Sequence, residues 1–198
     1  MRHEVWVPGW LQVSLALTFG VAGVFSACAR VLARRQHLAA GDPVPEVEAR
    51  NQDGAAVPLS RYRGHPLVVY FYPKDRTSGC TIEAHAFRSD YPKFKELGVE
   101  IRGVSIDDVA SHQNFCEQEA LPFPLLADPD QVVARAFGVK STLGFYQRIT
   151  FVIDADGVVR QVFDPVRPAG HAQEVLGAVK GLVAGSFEPR PSGGQTRP

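Results

Sequence analysis

The uninterrupted apolar run Leu67-Val68-Val69-Tyr70-Phe71-Tyr72 constrains this chain more than any other stretch. A strand with one wet face alternates apolar and polar residues, whereas a run apolar at every position must be covered on both sides. Its length suits a central buried strand, and helices are the cover that such a strand needs. The flanking sequence supplies the other layers. Val44–Leu59 reads as a hairpin turning at Asp53-Gly54. A helical stretch runs from about Cys80 to Leu97, followed by a strand at Val99–Ile106 and a helix near Val109–Ala120. Phe123–Ala127 and Ile149–Ile153 are further strands, the second turning at Asp156-Gly157 into Val158–Phe163. His171–Val183 closes the order as a helix, apolar at Val175, Leu176, Val179, Leu182 and Val183. Strands alternating with helices in this order predict an α/β sandwich with a mixed central sheet flanked by helices.

Composition narrows the function. The chain has 198 residues, 45% hydrophobic and 21% charged, enough for one domain with a real core. Lys plus Arg and Asp plus Glu both number 21, so the formal net charge is zero. With no basic excess to neutralise a phosphate backbone, nucleic acid is not an expected partner. The 3 cysteines, Cys28, Cys80 and Cys116, are too few and too widely spaced for a disulfide scaffold or a zinc ribbon. Each needs its own explanation.

The two ends differ from the middle. Val5 to Ala29 carries no charged residue, and Gln12 is its only strongly polar side chain. At about 1.5 Å per helical residue such a run could cross a hydrocarbon core of roughly 30 Å. An uncleaved membrane anchor, a cleaved signal peptide and a lipoprotein signal all fit this N-terminal hydrophobic segment. Phe25-Ser26-Ala27-Cys28 resembles a lipobox whose usual first Leu is Phe. Arg30, Arg34 and Arg35 follow the run, and under the positive-inside rule they would keep the downstream domain in the cytoplasm. Bacterial membrane association or export to the periplasm both remain open. The expected organisation is an anchor or signal with its tether over 1–40, the domain over 41–185, and a disordered tail over 186–198.

Chemistry concentrates in Pro73-Lys74-Asp75-Arg76-Thr77-Ser78-Gly79-Cys80-Thr81. A buried strand ends at Pro73, a polar loop follows, and Cys80 falls where a helix begins. Backbone N–H groups of a first helical turn are unpaired and carry partial positive charge, which stabilises a thiolate placed there. Thr77 or Ser78 can cap that helix. A buried, inert cysteine is the bland alternative at the same position.

Pro73-x-x-x-Thr77-x-x-Cys80 resembles the active-site signature of peroxiredoxins. With Glu83, Phe87, Gly103, Val104, Ser105, Phe123, Leu125 and Asp128, the stretch from about Val44 to Val183 resembles their Q or bacterioferritin-comigratory-protein subfamily. The resemblance implies a thioredoxin-like fold and a thiol peroxidase acting on hydrogen peroxide and organic hydroperoxides. It implies that Cys80 attacks the peroxide, that Pro73 shields the thiolate and that the Thr77 hydroxyl contacts thiolate or peroxide. Arg148, just before the late strand Ile149–Ile153, stands where the family's arginine pairs with the thiolate, and its planar cationic fork suits that role. No metal, flavin or haem is implied; the partner is a thioredoxin-like reductant, and the protein is expected as a monomer or weak dimer.

Two departures stand out. The proline usual between Thr and Gly is Ser78, and the second cysteine that many members carry five residues after the first is His85. Cys116 is then the candidate resolving thiol, as some members place theirs on that later helix. Disulfide geometry asks for Cα atoms within roughly 7 Å, so the first turns of one or both helices would have to unwind. His85 and His112 lack a recognised metal-ligand spacing with Cys80. A membrane-tethered thiol–disulfide oxidoreductase is the rival enzyme, although Thr77 stands where its Cys-x-x-Cys would begin. A copper-binding or redox-sensing protein on the same fold is the non-enzymatic rival.

Overall fold

The computed structural model describes residues 37–185. The uncharged run, its basic flank and the C-terminal tail lie outside them. Among the described residues no helix is long and apolar enough to cross a membrane.

In chain order the elements are β1 (Glu48–Asn51), β2 (Ala56–Pro58), a 3-10 turn (Leu59–Tyr62) and β3 (Leu67–Phe71). Then come α1 (Ser78–Glu96), β4 (Glu100–Ser105), α2 (Val109–Gln118), β5 (Leu125–Ala127) and α3 (Val132–Phe137). The small hairpin β6 (Ser141–Thr142) and β7 (Phe145–Tyr146) precedes β8 (Ile149–Ile153), β9 (Val159–Phe163) and α4 (His171–Val183). The main sheet has 7 strands in the order β2-β1-β5-β4-β3-β8-β9. It is mixed: β3 runs parallel to β4 and β4 to β5, while β8 and β1 enter antiparallel.

The apolar run forms β3, the strand between β4 and β8, and all five of its residues are buried. Successive side chains of a strand point to opposite faces, and β3 divides accordingly. Leu67, Val69 and Phe71 join one apolar cluster, with Phe137 of α3, Leu59, Tyr62 and Phe151. Val68, Tyr70 and Tyr72 join the other, with Phe87 and Phe94 of α1, Phe115 of α2 and Val175 and Val179 of α4. Both faces are covered, and that is why the run tolerates no polar residue. The second face depends on Gly103 in β4. A Cβ there would sit 2.6 Å from the Tyr70 hydroxyl and 2.7 Å from Leu125 Cδ2, closer than any real contact.

The segment before β1 spans the expected boundary between tether and domain, and its backbone is hydrogen-bonded to α3 and β9. Leu38 N–H donates to Phe137 O at 3.0 Å, Gly41 N–H to Val159 O at 2.8 Å, and Val159 N–H to Asp42 O at 2.9 Å.

Candidate active site

Register places the site. In the antiparallel pairing of β3 with β8, Phe71 lies opposite Ile149. The residue before Ile149 is Arg148, so its side chain starts beside the end of β3, where the loop to Cys80 departs. From there Arg148 Nη2 reaches Cys80 Sγ at 3.2 Å. Thr77 is the N-cap of α1, which makes Cys80 the third helical residue. The first turn closes with Thr81 N–H donating to Thr77 O at 2.9 Å. Cys80 therefore sits among the unpaired N–H groups of the helix start, with a guanidinium against its sulfur. Its residue is 2% exposed.

One expectation needs correcting. Thr77 takes the N-cap position, but neither its side chain nor that of Ser78 caps the helix. The Thr77 hydroxyl donates backward to Lys74 O at 3.1 Å, closing the loop rather than the helix. Pro73 takes part through its backbone, accepting from Tyr146 N–H at 3.4 Å, which ties the loop to the β6–β7 hairpin. Between them Arg76 adopts a left-handed backbone, φ 58°, a conformation costly for a residue with a Cβ.

A carboxylate completes the site, and the sequence reading assigned it no role. Glu83, one turn along α1 from Cys80, pairs through Oε2 with Nη1 of Arg148 and is fully buried. Among the described residues its Oε1 has no hydrogen-bond partner. Burial pushes the Glu83 carboxyl up to about 7, against the opposing pull of Arg148. The Arg148 guanidinium is held above its usual range because the charges of Glu83 and Cys80 outweigh its own burial. A Glu83 that resists ionisation leaves more of the guanidinium charge for the sulfur. The signal was available: Cys80, Glu83, Ala84, Phe87 and Phe94 share the buried stripe of α1, and a carboxylate on such a stripe requires a partner.

A second buried network supports the loop. Asp75 accepts from Tyr72 Oη at 2.7 Å, pairs with His112 Nδ1 at 2.9 Å, and accepts from Ser111 Oγ at 2.7 Å. Burial opposes the charge of Asp75, but the hydrogen bonds and charge of His112, with Tyr72 and Ser111, hold its carboxyl below the usual range. His112 also meets Leu126 O through Nε2 at 3.2 Å. His85 pairs elsewhere, with Glu119. The two histidines thus serve separate partners, and neither of them hydrogen-bonds to Cys80 among the described residues.

Cys80 and Cys116 are both free thiols here. Cys116, on α2, packs half-buried against the α1 side of the core. Burial first, then the nearby charge of Asp75, pushes its thiol up to about 12.

The AhpC/TSA family model matches residues 40–162. The chain is 43% identical over 145 residues to the chloroplastic peroxiredoxin Q of Oryza sativa subsp. japonica, covering 72% of this chain and 67% of that one. It is 44% identical over 135 residues to peroxiredoxin Bcp of Xanthomonas campestris pv. campestris, covering 64% and 84%. Among solved structures, the Mycobacterium tuberculosis peroxidoxin BcpB superposes with a TM-score of 0.70 at 34% identity, covering 74% of this chain and 99% of that one. The fold is thioredoxin-like, as the motif implied. The chain belongs to the AhpC/TSA family and, within it, to the peroxiredoxin Q and Bcp group of thiol-dependent peroxidases.

Proposed function

We propose that Cys80 is the peroxidatic residue of this peroxidase, with Arg148, Thr77 and Pro73 forming its pocket and Cys116 resolving the oxidised form. The observation that carries the first assignment is the Arg148 Nη2 to Cys80 Sγ contact of 3.2 Å at the start of α1. The thiolate attacks one peroxide oxygen, an S–O bond forms and the O–O bond breaks. The departing oxygen takes a proton and leaves as water or an alcohol, and the sulfur becomes a sulfenic acid. Arg148 serves both ends of this step, stabilising the thiolate and then the charge on the departing oxygen. Glu83 orients the guanidinium.

Organic hydroperoxides belong in the substrate class. A similar Xanthomonas campestris structure is described in terms of alkyl peroxide reduction. Structures of the peroxiredoxin Q from that organism include serine variants of two cysteines with the spacing that separates Cys80 from Cys116 here. This supports Cys116 as the thiol that condenses with the Cys80 sulfenic acid. A thioredoxin-like donor then restores both thiols by exchange. The uncharged Val5–Ala29 run supports a membrane-tethered form, to be checked by partitioning the full chain between membrane and aqueous fractions.

Thioredoxin-coupled peroxide consumption by wild type and Cys116→Ser tests the scheme. The variant is expected to consume one equivalent of peroxide at the wild-type rate, then stall and pass to sulfinic acid at lower peroxide doses. Equal steady-state turnover of the two proteins would make this a one-cysteine peroxidase.

A further inference from the structure

The helix that carries Cys116 is held to the rest of the fold at both ends, and the two fastenings are unequal. At its first turn, Ser111 and His112 bind Asp75, with the His112 and Asp75 side chains 0% and 1% exposed. At its last turn the fastening lies at the surface. Glu119, the C-cap of α2, pairs through Oε2 with His85 Nε2 at 2.5 Å, with side chains 23% and 42% exposed. Its backbone carbonyl accepts from Arg88. His85 and Arg88 lie three residues apart on α1, on one helical face. Directly after Glu119, Ala120 adopts a left-handed backbone, φ 47°, where an alanine is strained and a glycine is not.

Cys116 lies in this last turn. A thiol pushed up to about 12 by burial stays protonated and inert at neutral pH. Cys116 is also packed against the α1 side of the core, so the turn has to open to bring it to Cys80, and His85 is the side chain at its edge.

We propose that the His85–Glu119 and Arg88–Glu119 contacts latch the last turn of α2 closed, so that His85 is a positioning residue that sets how fast Cys116 reaches oxidised Cys80. The proposal rests on the reading of Cys116 as the resolving thiol. In the step it governs, Cys116 attacks the sulfenic sulfur of Cys80. An S–S bond forms and the S–O bond breaks. The hydroxyl leaves with the Cys116 proton as water; Cys116 is oxidised and the sulfenic sulfur reduced. The buried Asp75 fastening keeps the first turn in place as a hinge.

The test uses full-length protein, a stoichiometric pulse of hydrogen peroxide, rapid acid quench, and mass spectrometry of the Cys80–Cys116 disulfide and of Cys80 sulfinic acid. His85→Ala is expected to form the disulfide about fivefold faster and to need more peroxide for half-maximal sulfinic acid. The rate of peroxide loss should not change. Glu119→Ala should match it, and the double variant should go no faster than either. His85→Lys, which still pairs with Glu119, should stay within about twofold of wild type. Ala120→Gly, which relieves the strain, should slow the disulfide by about threefold. Equal disulfide rates in wild type, His85→Ala and Ala120→Gly would overturn the latch while leaving Cys116 as the resolver. A wild type that consumes peroxide and forms no Cys80–Cys116 bond would overturn the latch and the resolving role together.

Discussion

Arg148 divides a single guanidinium between Glu83 and Cys80, and the chemistry proposed for the site rests on that division. Were Glu83 a readily ionised carboxylate, it would neutralise the charge the sulfur needs. Burial makes Glu83 reluctant to ionise, so it holds the fork in place without fully discharging it. The fork shape matters because two separate N–H edges must meet two partners. Arg148→Lys keeps the charge and loses that geometry. Stopped-flow oxidation of Cys80 by hydrogen peroxide should slow on the order of a hundredfold in this variant. Unchanged kinetics from pH 5 to pH 9 would reduce Arg148 to a surface charge. Of this cluster, Cys80, Thr77 and Pro73 stood out because they form one local motif, whereas Arg148 was singled out only through the family resemblance, since an arginine ahead of an apolar strand reads by itself as a surface charge. The Glu83 pairing and the Asp75–His112 network were not read, since they join residues far apart in sequence.

At the scale of elements, the apolar run named the strand between β4 and β8, and period-two alternation assigned its side chains to two faces. The long helices and the strands β4, β8 and β9 were legible because each buries a periodic apolar stripe or run. α3 and the β6–β7 hairpin were not. Val132–Phe137 is only six residues, bounded by left-handed Gln131 and Gly138, too short for helical periodicity to rise above its flanks. Ser141–Tyr146 bends through Leu143 and Gly144, both at positive φ, without the Asn-Gly or Asp-Gly pair that marks most hairpins. Gly103 links the elements, since β4 can lie under Tyr70 only without a Cβ. Gly103→Ala should destabilise the fold by about 1–3 kcal/mol, as overpacking of a closed core does. The urea midpoint would report it, and a midpoint unchanged from wild type would mean that Tyr70 moves aside freely.

Across the whole molecule, two buried groups beside the site oppose each other in how stability responds to pH. His171, with Nε2 on Thr150 Oγ1 at 2.8 Å and Nδ1 3.8 Å from Glu174 Oε2, is held at about 4 by burial and by the charge of Arg148. The unfolded chain binds that proton near 6.5, so between these values acid favours unfolding. Glu83 acts in the opposite sense. Its proton is held up to about 7 when folded and released near 4.5 when unfolded, so its contribution favours folding at acid pH and is lost as pH rises through 7. His171→Gln removes the first term. The stability gap between wild type and His171→Gln, read from urea unfolding, should narrow by about 3 kcal/mol between pH 7 and pH 4. Glu83→Gln should change its gap with the opposite sign. A gap for His171→Gln that does not vary with pH would mean that His171 takes up its proton as easily in the folded protein.

The most direct measurement of the central claim is a single-turnover mix of reduced protein with one equivalent of hydrogen peroxide, following peroxide loss in wild type and Cys80→Ser. Cys80→Ser keeps the helix start, Arg148 and Glu83, and removes only the sulfur. If Cys80 is the attacking thiolate, peroxide loss falls by several orders of magnitude, while Cys116→Ser in the same mix remains at the wild-type rate. Retention of more than about a tenth of the wild-type rate by Cys80→Ser would contradict the account.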